Sequence, residues 1–206
     1  MLENIKWVCH DCFKITGEKT IYTDPYNIKK PDKADLIFIT HTHFDHFSPD
    51  DIRKISGQNT AFVVPHDCAF KLTGNVKVAM PGDKFTVSGI EVEAVPAYNT
   101  NKNFHPKANN WLGYIFKVNG IRIYLAGDTD HIPEMRALSN IDIAFLPVSG
   151  TYVMTADEAA AAALDIKPKI AAIPMHYATI VGTKEDAKRF AELLEGKIKV
   201  YVPNAV

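Results

Sequence analysis

Short runs of apolar, aromatic and β-branched residues recur along the whole chain, with turn-forming residues between them. Asn119-Gly120 lies between two such runs. This pair predicts a hairpin, because both central positions of a type I′ turn need a positive φ. The pattern predicts thirteen strands, at 5–8, 12–16, 20–23, 35–40, 60–64, 76–79, 84–87, 90–95, 111–118, 121–126, 141–146, 170–174 and 198–202.

Three segments carry helix start signals. Ser48-Pro49-Asp50-Asp51 offers an N-cap serine followed by proline and acidic residues. Thr155-Ala156-Asp157-Glu158 is a capping box that opens an alanine-rich helix through Leu164, and a similar sequence at Thr183 opens a helix over 184–195. Many strands with few helices predict an α/β (α+β) fold in which two sheets stack and helices lie outside. We expect one domain over 1–206, in two β-rich halves that meet near residue 110.

The amino-acid composition excludes some classes of function but does not identify one. Of 206 residues, 47% are hydrophobic and 23% charged, and the formal net charge is −1, so no bulk attraction to nucleic acid or to an anionic membrane is expected. No apolar stretch reaches the length of a membrane span, and the first residues lack the pattern of a secretory signal. These features, with an odd count of three cysteines, favour the cytoplasm.

The sequence Cys9-His10-Asp11-Cys12 contains a CxxC spacing. A structural zinc site needs four ligands, and no second CxxC follows, since Cys68 stands alone. We therefore interpret Cys9 and Cys12 as reduced thiols on an early strand.

A cluster of candidate metal ligands directly follows the apolar run 35–39. His41, His43, Asp45 and His46 fall within six positions, and imidazole with carboxylate is a ligand set for zinc or another first-row divalent metal. Alternating side chains on a strand could not all face one way, so the cluster is expected on the loop that leaves the strand. Two ions, one near His41 and His43 and the other near Asp45 and His46, are easier to accommodate than one ion with four closely spaced ligands.

Three further candidates follow predicted strands, where loops on a rigid scaffold carry function. They are His105, Asp128 and His176. Each has an ordinary alternative: a surface histidine for His105, a turn-forming aspartate for Asp128 and a core histidine for His176.

The sequence HxHxDH after a strand, followed by a histidine, a Gly-Asp and a late histidine, resembles the metallo-β-lactamase superfamily. The phrases 146–154 and 173–177 resemble the branch that includes L-ascorbate-6-phosphate lactonase. The resemblance implies a four-layer αβ/βα sandwich with two metal ions at one edge. The Thr-Pro-Gly-His-Thr phrase of many members is absent, which disfavours the glyoxalase II and persulfide dioxygenase branches.

The resemblance also implies a role for each residue. The first ion would be held by His41, His43 and His105, and the second by Asp45, His46 and His176. Asp128 would bridge both ions, and Asp24 would anchor a ligating histidine from behind. Zinc is the expected metal, with manganese, iron or nickel as alternatives.

These roles predict a hydrolase in which two divalent ions lower the pKa of water towards ~7 and polarise the substrate. Asp45 and Asp128 would be the catalytic carboxylates, with Asp45 accepting a proton. The expected substrate is a small anionic ester, either a phosphodiester or a lactone, and the alternative is a nuclease acting on RNA or DNA. Lys102 and Lys107 are candidates for holding the anion, and His131 is a candidate for lining the cleft. Tyr177 could orient the substrate or donate to the leaving group, with ordinary packing as its alternative.

Overall fold

The computed structural model describes residues 2–203, which form two six-stranded mixed sheets with helices on their outer faces. The first sheet contains, in spatial order, β1 (Ile5–Cys9), β2 (Cys12–Ile15), β3 (Ile21–Thr23), β4 (Leu36–Phe38), β5 (Ala61–Val64) and β6 (Asn75–Val78). The second has β7 (Lys84–Val87) at one edge, followed by β8 (Ile90–Pro96), β9 (Leu112–Val118), β10 (Ile121–Leu125), β11 (Ile143–Pro147) and β12 (Ala171–Met175).

Four α-helices accompany the sheets: α1 (Pro49–Ile55), α2 (His66–Ala69), α3 (Ala156–Ile166) and α4 (Lys184–Leu194). Short 3-10 helices lie at Leu2–Asn4, Lys107–Asn109 and Pro133–Ala137. No helix within residues 2–203 has both the length and the apolar character needed to cross a membrane.

The fully apolar strands are buried on both faces, as the alternation of β4 illustrates. Leu36 and Phe38 belong to the core between the two sheets, where Phe38 stacks on Phe116 with ring centroids 4.6 Å apart. Ile37 points the other way, into a separate core that includes Ile52 and Ile55 of α1. Because side chains on a strand alternate between faces, one continuous apolar run supplies both layers.

Most of the predicted elements are found within one or two residues of their expected bounds. The alanine-rich helix begins at its Thr155 capping box, as predicted, and runs two residues further, to Ile166. The strand predicted at 198–202 is wrong, since only Val200 bridges to Ala172 beside β12. The amides of Lys197 and Ile198 still donate to the carbonyl of Leu194 at the end of α4. At the other end of the segment, Pro203 has no N–H with which to continue a ladder of hydrogen bonds to β12. Helix α2 and the 3-10 helices were not predicted.

Two further expectations need adjustment. The chain passes from one sheet to the other between Val78 and Lys84, whereas residue 110 lies inside the second sheet, between β8 and β9. Cys9 ends β1 and Cys12 begins β2, so the two thiols flank a hairpin turn instead of sharing a strand. All three cysteines are free and buried.

The two sheets are joined by a buried hydrogen bond at the end of β4. The hydroxyl of Tyr114 on β9 donates to the carbonyl of Ile39 at 2.7 Å, directly before the histidine cluster. We expect Tyr114→Phe to lower the free energy of unfolding by about 1–2 kcal/mol, because a buried carbonyl loses its donor. Denaturant unfolding measures this loss. Tyr22→Phe is the matched control, since the Tyr22 hydroxyl accepts only one longer bond, at 3.3 Å from the amide of Asp32. If both variants lost the same free energy of unfolding, the Tyr114 hydrogen bond would not have the proposed stabilising effect.

Candidate metal centre

The predicted site residues follow strands whose carboxyl ends meet at one edge of the sandwich. In the first sheet β1, β3 and β4 run in the same direction, and in the second β8, β10 and β12 do so. The histidine cluster follows β4, and His105, Asp128 and His176 follow β8, β10 and β12. The loops that begin at this edge therefore bring distant parts of the sequence together.

Gly127 allows the end of β10 to approach the histidine cluster. Its φ is +67°, and a Cβ there would lie 2.9 Å from the carbonyl oxygen of Leu112 and 3.1 Å from Cβ of Thr40. Only glycine avoids both the left-handed strain and this contact. Asp128 is thus placed directly against the loop that carries His41.

A first group of ligand atoms contains His41, His43, His105 and Asp128, all within 4.8 Å of one another. Nε2 of His41 lies 2.9 Å from Nδ1 of His43, and Nε2 of His105 lies 3.1 Å from Oδ2 of Asp128. Atoms bound ~2.0–2.2 Å from one zinc ion are roughly 3 Å apart, so these separations suit a shared cation.

A second group contains Asp45, His46 and His176, with His10 as a fourth member. Asp128 borders this group as well, since its Oδ2 lies 3.1 Å from Nε2 of His176 and its Oδ1 lies 3.5 Å from Nε2 of His46. Asp128 is therefore the one carboxylate that contacts histidines of both groups.

Four of the donor atoms aimed into the two groups have no hydrogen-bond partner. Nε2 of His46, His105 and His176 and Oδ1 of Asp128 are buried without a hydrogen bond in the part of the chain that the structure describes. Buried polar atoms are normally paired, because an unpaired one costs roughly 1–3 kcal/mol. Divalent cations would satisfy all of them at once, so the residues fit the metal pair that the sequence predicts.

The opposite ring nitrogens are held by hydrogen-bonding groups, as expected of metal-ligating histidines. Nδ1 of His46 lies 2.8 Å from Oδ2 of Asp24, which also accepts from the Thr40 hydroxyl at 2.7 Å. The same role is taken by the Asn99 amide oxygen for His105, at 3.1 Å, and by the Ser149 hydroxyl for His176, at 2.8 Å. Each ring is fixed with Nε2 facing the centre.

Burial and mutual charge set the protonation of the centre. Burial lowers the pKa of His41 well below its usual value. Burial raises the pKa of Asp128, but the charges of His176 and His46 outweigh it and hold that carboxyl ionised, far below its usual range. Burial also opposes ionisation of Asp45, yet its contacts with His10 and His46 lower its pKa to about 2. Burial opposes protonation of His46 and His176, but the carboxylate of Asp128 outweighs it and raises the pKa of both rings. A metal ion binds the neutral imidazole, so metal binding at these two rings would displace protons.

A family model for the beta-lactamase superfamily domain matches residues 4–176. A UPF0173 metal-dependent hydrolase of Thermoplasma acidophilum is 36% identical, and the match covers 98% of this chain and 95% of the relative. The chain belongs to the beta-lactamase superfamily, among its UPF0173 metal-dependent hydrolases. It is thus a metal-dependent hydrolase.

Solved structures of superfamily members agree with the fold. A Parabacteroides distasonis protein assigned as a metal-dependent hydrolase has a TM-score of 0.86 and 35% identity, covering 98% of this chain and 93% of its own. A Thermotoga maritima protein assigned as a zinc-dependent hydrolase of the metallo-β-lactamase superfamily has a TM-score of 0.66 and 26% identity, covering 98% of both chains. The predicted superfamily and fold class are confirmed. The narrower resemblance to ascorbate-6-phosphate lactonase stays a prediction.

Two residues of the centre escaped the sequence analysis. His10 and Asp11 lie in the turn between β1 and β2, fully buried, and were set aside with the CxxC spacing. Burial raises the pKa of Asp11 well above its usual value, and its Oδ2 lies 3.9 Å from Nδ1 of His46. Two antiparallel pairings make β1 parallel to β3 and so direct its end towards the same edge. No local feature of the sequence reveals that pairing.

The four further candidates from the sequence, Lys102, Lys107, His131 and Tyr177, lie outside the two groups of ligand atoms. Lys102 pairs with buried Asp130 at 2.6 Å, and Lys107 pairs with Glu134 at 2.9 Å. His131 faces Asp165 at 2.9 Å, whereas Tyr177 stacks on Trp7 with ring centroids 4.7 Å apart. Each of the four side chains therefore has a structural partner of its own, and both lysines are paired with carboxylates. Their expected contacts with an anion stay a prediction.

The hydrogen bond between Asp24 and the His46 ring can be tested by substitution. We expect Asp24→Asn to weaken metal binding by roughly 10–100-fold, because an amide NH2 would face His46 Nδ1 and free that ring to turn. Competition with a chromophoric chelator measures the affinity. Asp35→Asn is the control, since Asp35 accepts from the Thr20 amide at the opposite end of the same strands. Unchanged affinity in a folded Asp24→Asn protein would argue against this anchoring role.

Proposed function

We propose that this hydrolase uses two divalent ions, most simply zinc, to cleave a small ester of the phosphodiester or lactone type. The two adjacent groups of ligand atoms around Asp128, four of them buried without a hydrogen-bond partner in the described residues, are the observation that carries the proposal. His41, His43 and His105 would hold one ion, Asp45, His46 and His176 the other, and Asp128 would lie between them. Manganese, iron and nickel suit the same donor set.

The bound ions would supply Lewis acidity and a water of lowered pKa. The chain supplies orientation and a proton acceptor. Asp45 is the better placed carboxylate for that role, because its side chain is 13% exposed and lines the pocket, whereas Asp128 is 3% exposed. Asp128, ionised and surrounded by histidines, would hold the two ions in a fixed relation.

A pocket of about 270 Å³ opens above the centre. Its rim is apolar: Phe44, Phe104 and Ile180 are 66%, 50% and 38% exposed, and Phe104 meets Tyr152 edge to face at 4.6 Å. Exposed aromatic side chains around a polar centre are typical of a binding site for an apolar group. We infer that the substrate carries an aryl or alkyl group next to the cleaved bond.

The same pocket supports a small molecule over a nucleic acid. Of the residues described, neither lysine nor arginine lines it, and Lys102 and Lys107 are engaged elsewhere. Binding a nucleic-acid backbone depends on such cations. Any negative charge on the substrate would be met by the metal ions.

Metal counting tests the dinuclear proposal. Elemental analysis should find close to two divalent ions per chain, and fewer in His41→Ala and in Asp128→Asn, because each change removes a donor from the centre. His66→Ala is the control, since that histidine is exposed on α2. An unchanged count in both folded variants would refute the assigned ligands.

A substrate panel tests the reaction. Bis-aryl phosphates, phosphomonoesters, lactones and β-lactams should be compared, and we expect turnover of a diester or a lactone. Activity limited to β-lactams or phosphomonoesters would contradict the proposal.

The apolar rim is tested separately with Phe104→Ala. We expect KM for an aryl substrate to rise about 3–10-fold, corresponding to roughly 0.5–1.5 kcal/mol of lost aromatic contact, with little change for a methyl analogue. Phe70→Ala is the matched control, because Phe70 is 76% exposed and lies outside the pocket. Equal effects on aryl and methyl substrates would remove the argument for an apolar group.

A further inference from the structure

His10 is held in an unusual backbone conformation beside the second group. Its φ is +51°, in the left-handed region that residues other than glycine seldom adopt. The Trp7 indole N–H donates to its carbonyl at 2.8 Å, and its own N–H donates to the Thr179 hydroxyl at 3.3 Å. The His176 amide also donates to its carbonyl, at 3.4 Å. The nearby Trp7 and one distant segment, the loop 176–179, thus fix a strained turn. Strain of this kind collects at functional sites.

The imidazole of His10 faces the second group of ligand atoms. Its Nε2 lies 3.1 Å from Oδ2 of Asp45. A ring nitrogen of His10 also lies within 4.8 Å of ligand atoms of Asp45, His46 and His176. The residue is 0% exposed, so bulk solvent does not reach this nitrogen. The two atoms are close enough for a hydrogen bond but not aligned for one, and Nε2 has no other partner within residues 2–203.

Two histidines already assigned to the centre share these features of distance, burial and a missing hydrogen bond. Nε2 of His105 and Nε2 of His176 each lie 3.1 Å from a carboxylate oxygen, are buried, and make no hydrogen bond with it. Donor atoms that face a common cation have this arrangement, because each points at the ion and not at its neighbour. His10 Nε2 is therefore indistinguishable from them by distance, burial and alignment.

We propose that Nε2 of His10 is a fourth protein ligand of the second cation. The inference rests on the dinuclear centre proposed above and adds to it. The first cation would then have three imidazoles and Asp128 around it, and the second would have three imidazoles, Asp45 and Asp128. A second position with three nitrogen donors favours zinc, cobalt or nickel over manganese or magnesium, which prefer oxygen.

A simpler role for His10 would be to donate a hydrogen bond that holds Asp45. The poor alignment of Nε2 with Asp45 argues against it. One feature differs from the other ligands: Nδ1 of His10 also lacks a partner among the residues that the structure places. Its ring is held by packing instead, with its centroid 4.0 Å from that of His176. The two roles predict different spectra for a metal at this position.

The test uses metal-free protein titrated with Co²⁺, followed by equilibrium dialysis and by visible absorption. His10→Asn is the main variant, because asparagine tolerates a left-handed φ and its side chain is too short to reach the position of Nε2. His41→Ala and Asp45→Asn assign the two absorption signals to the two groups. His131→Ala is the histidine control, since its ring faces Asp165 outside the pocket. Thermal unfolding of each metal-free variant checks its fold.

We expect His10→Asn to bind the Asp45-dependent Co²⁺ at least tenfold more weakly and to alter its absorption, because one nitrogen donor is replaced. The His41-dependent signal should not change. The ligand role is overturned if affinity and absorption are both unchanged. It is also overturned if affinity falls with unaltered absorption, which would assign His10 to holding Asp45. A wild-type protein that binds one equivalent of Co²⁺ would instead refute the dinuclear proposal before any variant is compared.

Discussion

The arrangement of the candidate metal centre depends on the buried carboxylate of Asp128. Asp128 is 4% exposed, ionised, and contacts histidines that arrive from the loops after β4, β8 and β12. Removing a carboxylate from water costs several kcal/mol unless it is paired, and burying unpartnered imidazole nitrogens adds to that cost. Cations bound at the two groups would satisfy the carboxylate and the imidazoles together. This requirement explains why the arrangement fits a metal centre better than a cluster of hydrogen-bonded core histidines.

The sandwich makes this arrangement possible by bringing strand ends to one edge. A tight turn at Gly127 places Asp128 against the loop that follows β4, and the Tyr114 hydroxyl joins the second sheet to the carbonyl just before that loop. Behind the ligands, Asp24, Asn99 and Ser149 fix the ring orientations through the nitrogens that face away. The apolar layers supply the stability, and these polar contacts supply the geometry.

The surroundings of the centre direct the choice of substrate more than its ligands do. Aromatic side chains form the rim of the pocket, whereas the nearby lysines are bound to Asp130 and Glu134. The apolar wall above the candidate metal centre is the basis for the proposed ester with a hydrophobic group. Because the loops that form the rim differ readily among proteins of one fold, specificity is expected to vary across the superfamily.

The sequence alone determined the superfamily, most of the strands and seven of the residues with donor atoms. Alternating or continuous apolar runs reveal strands, and three histidines with an aspartate in six positions are local signals. His10 and Asp11 were missed because their partners are distant in sequence, and the direction of β1 depends on how the strands pair. Lys102 and Lys107 looked available in the sequence, since nothing local reveals Asp130 or Glu134 as their partners. Only the tertiary structure decided which side chains face the centre, because that depends on strand order and on contacts between residues far apart in the chain.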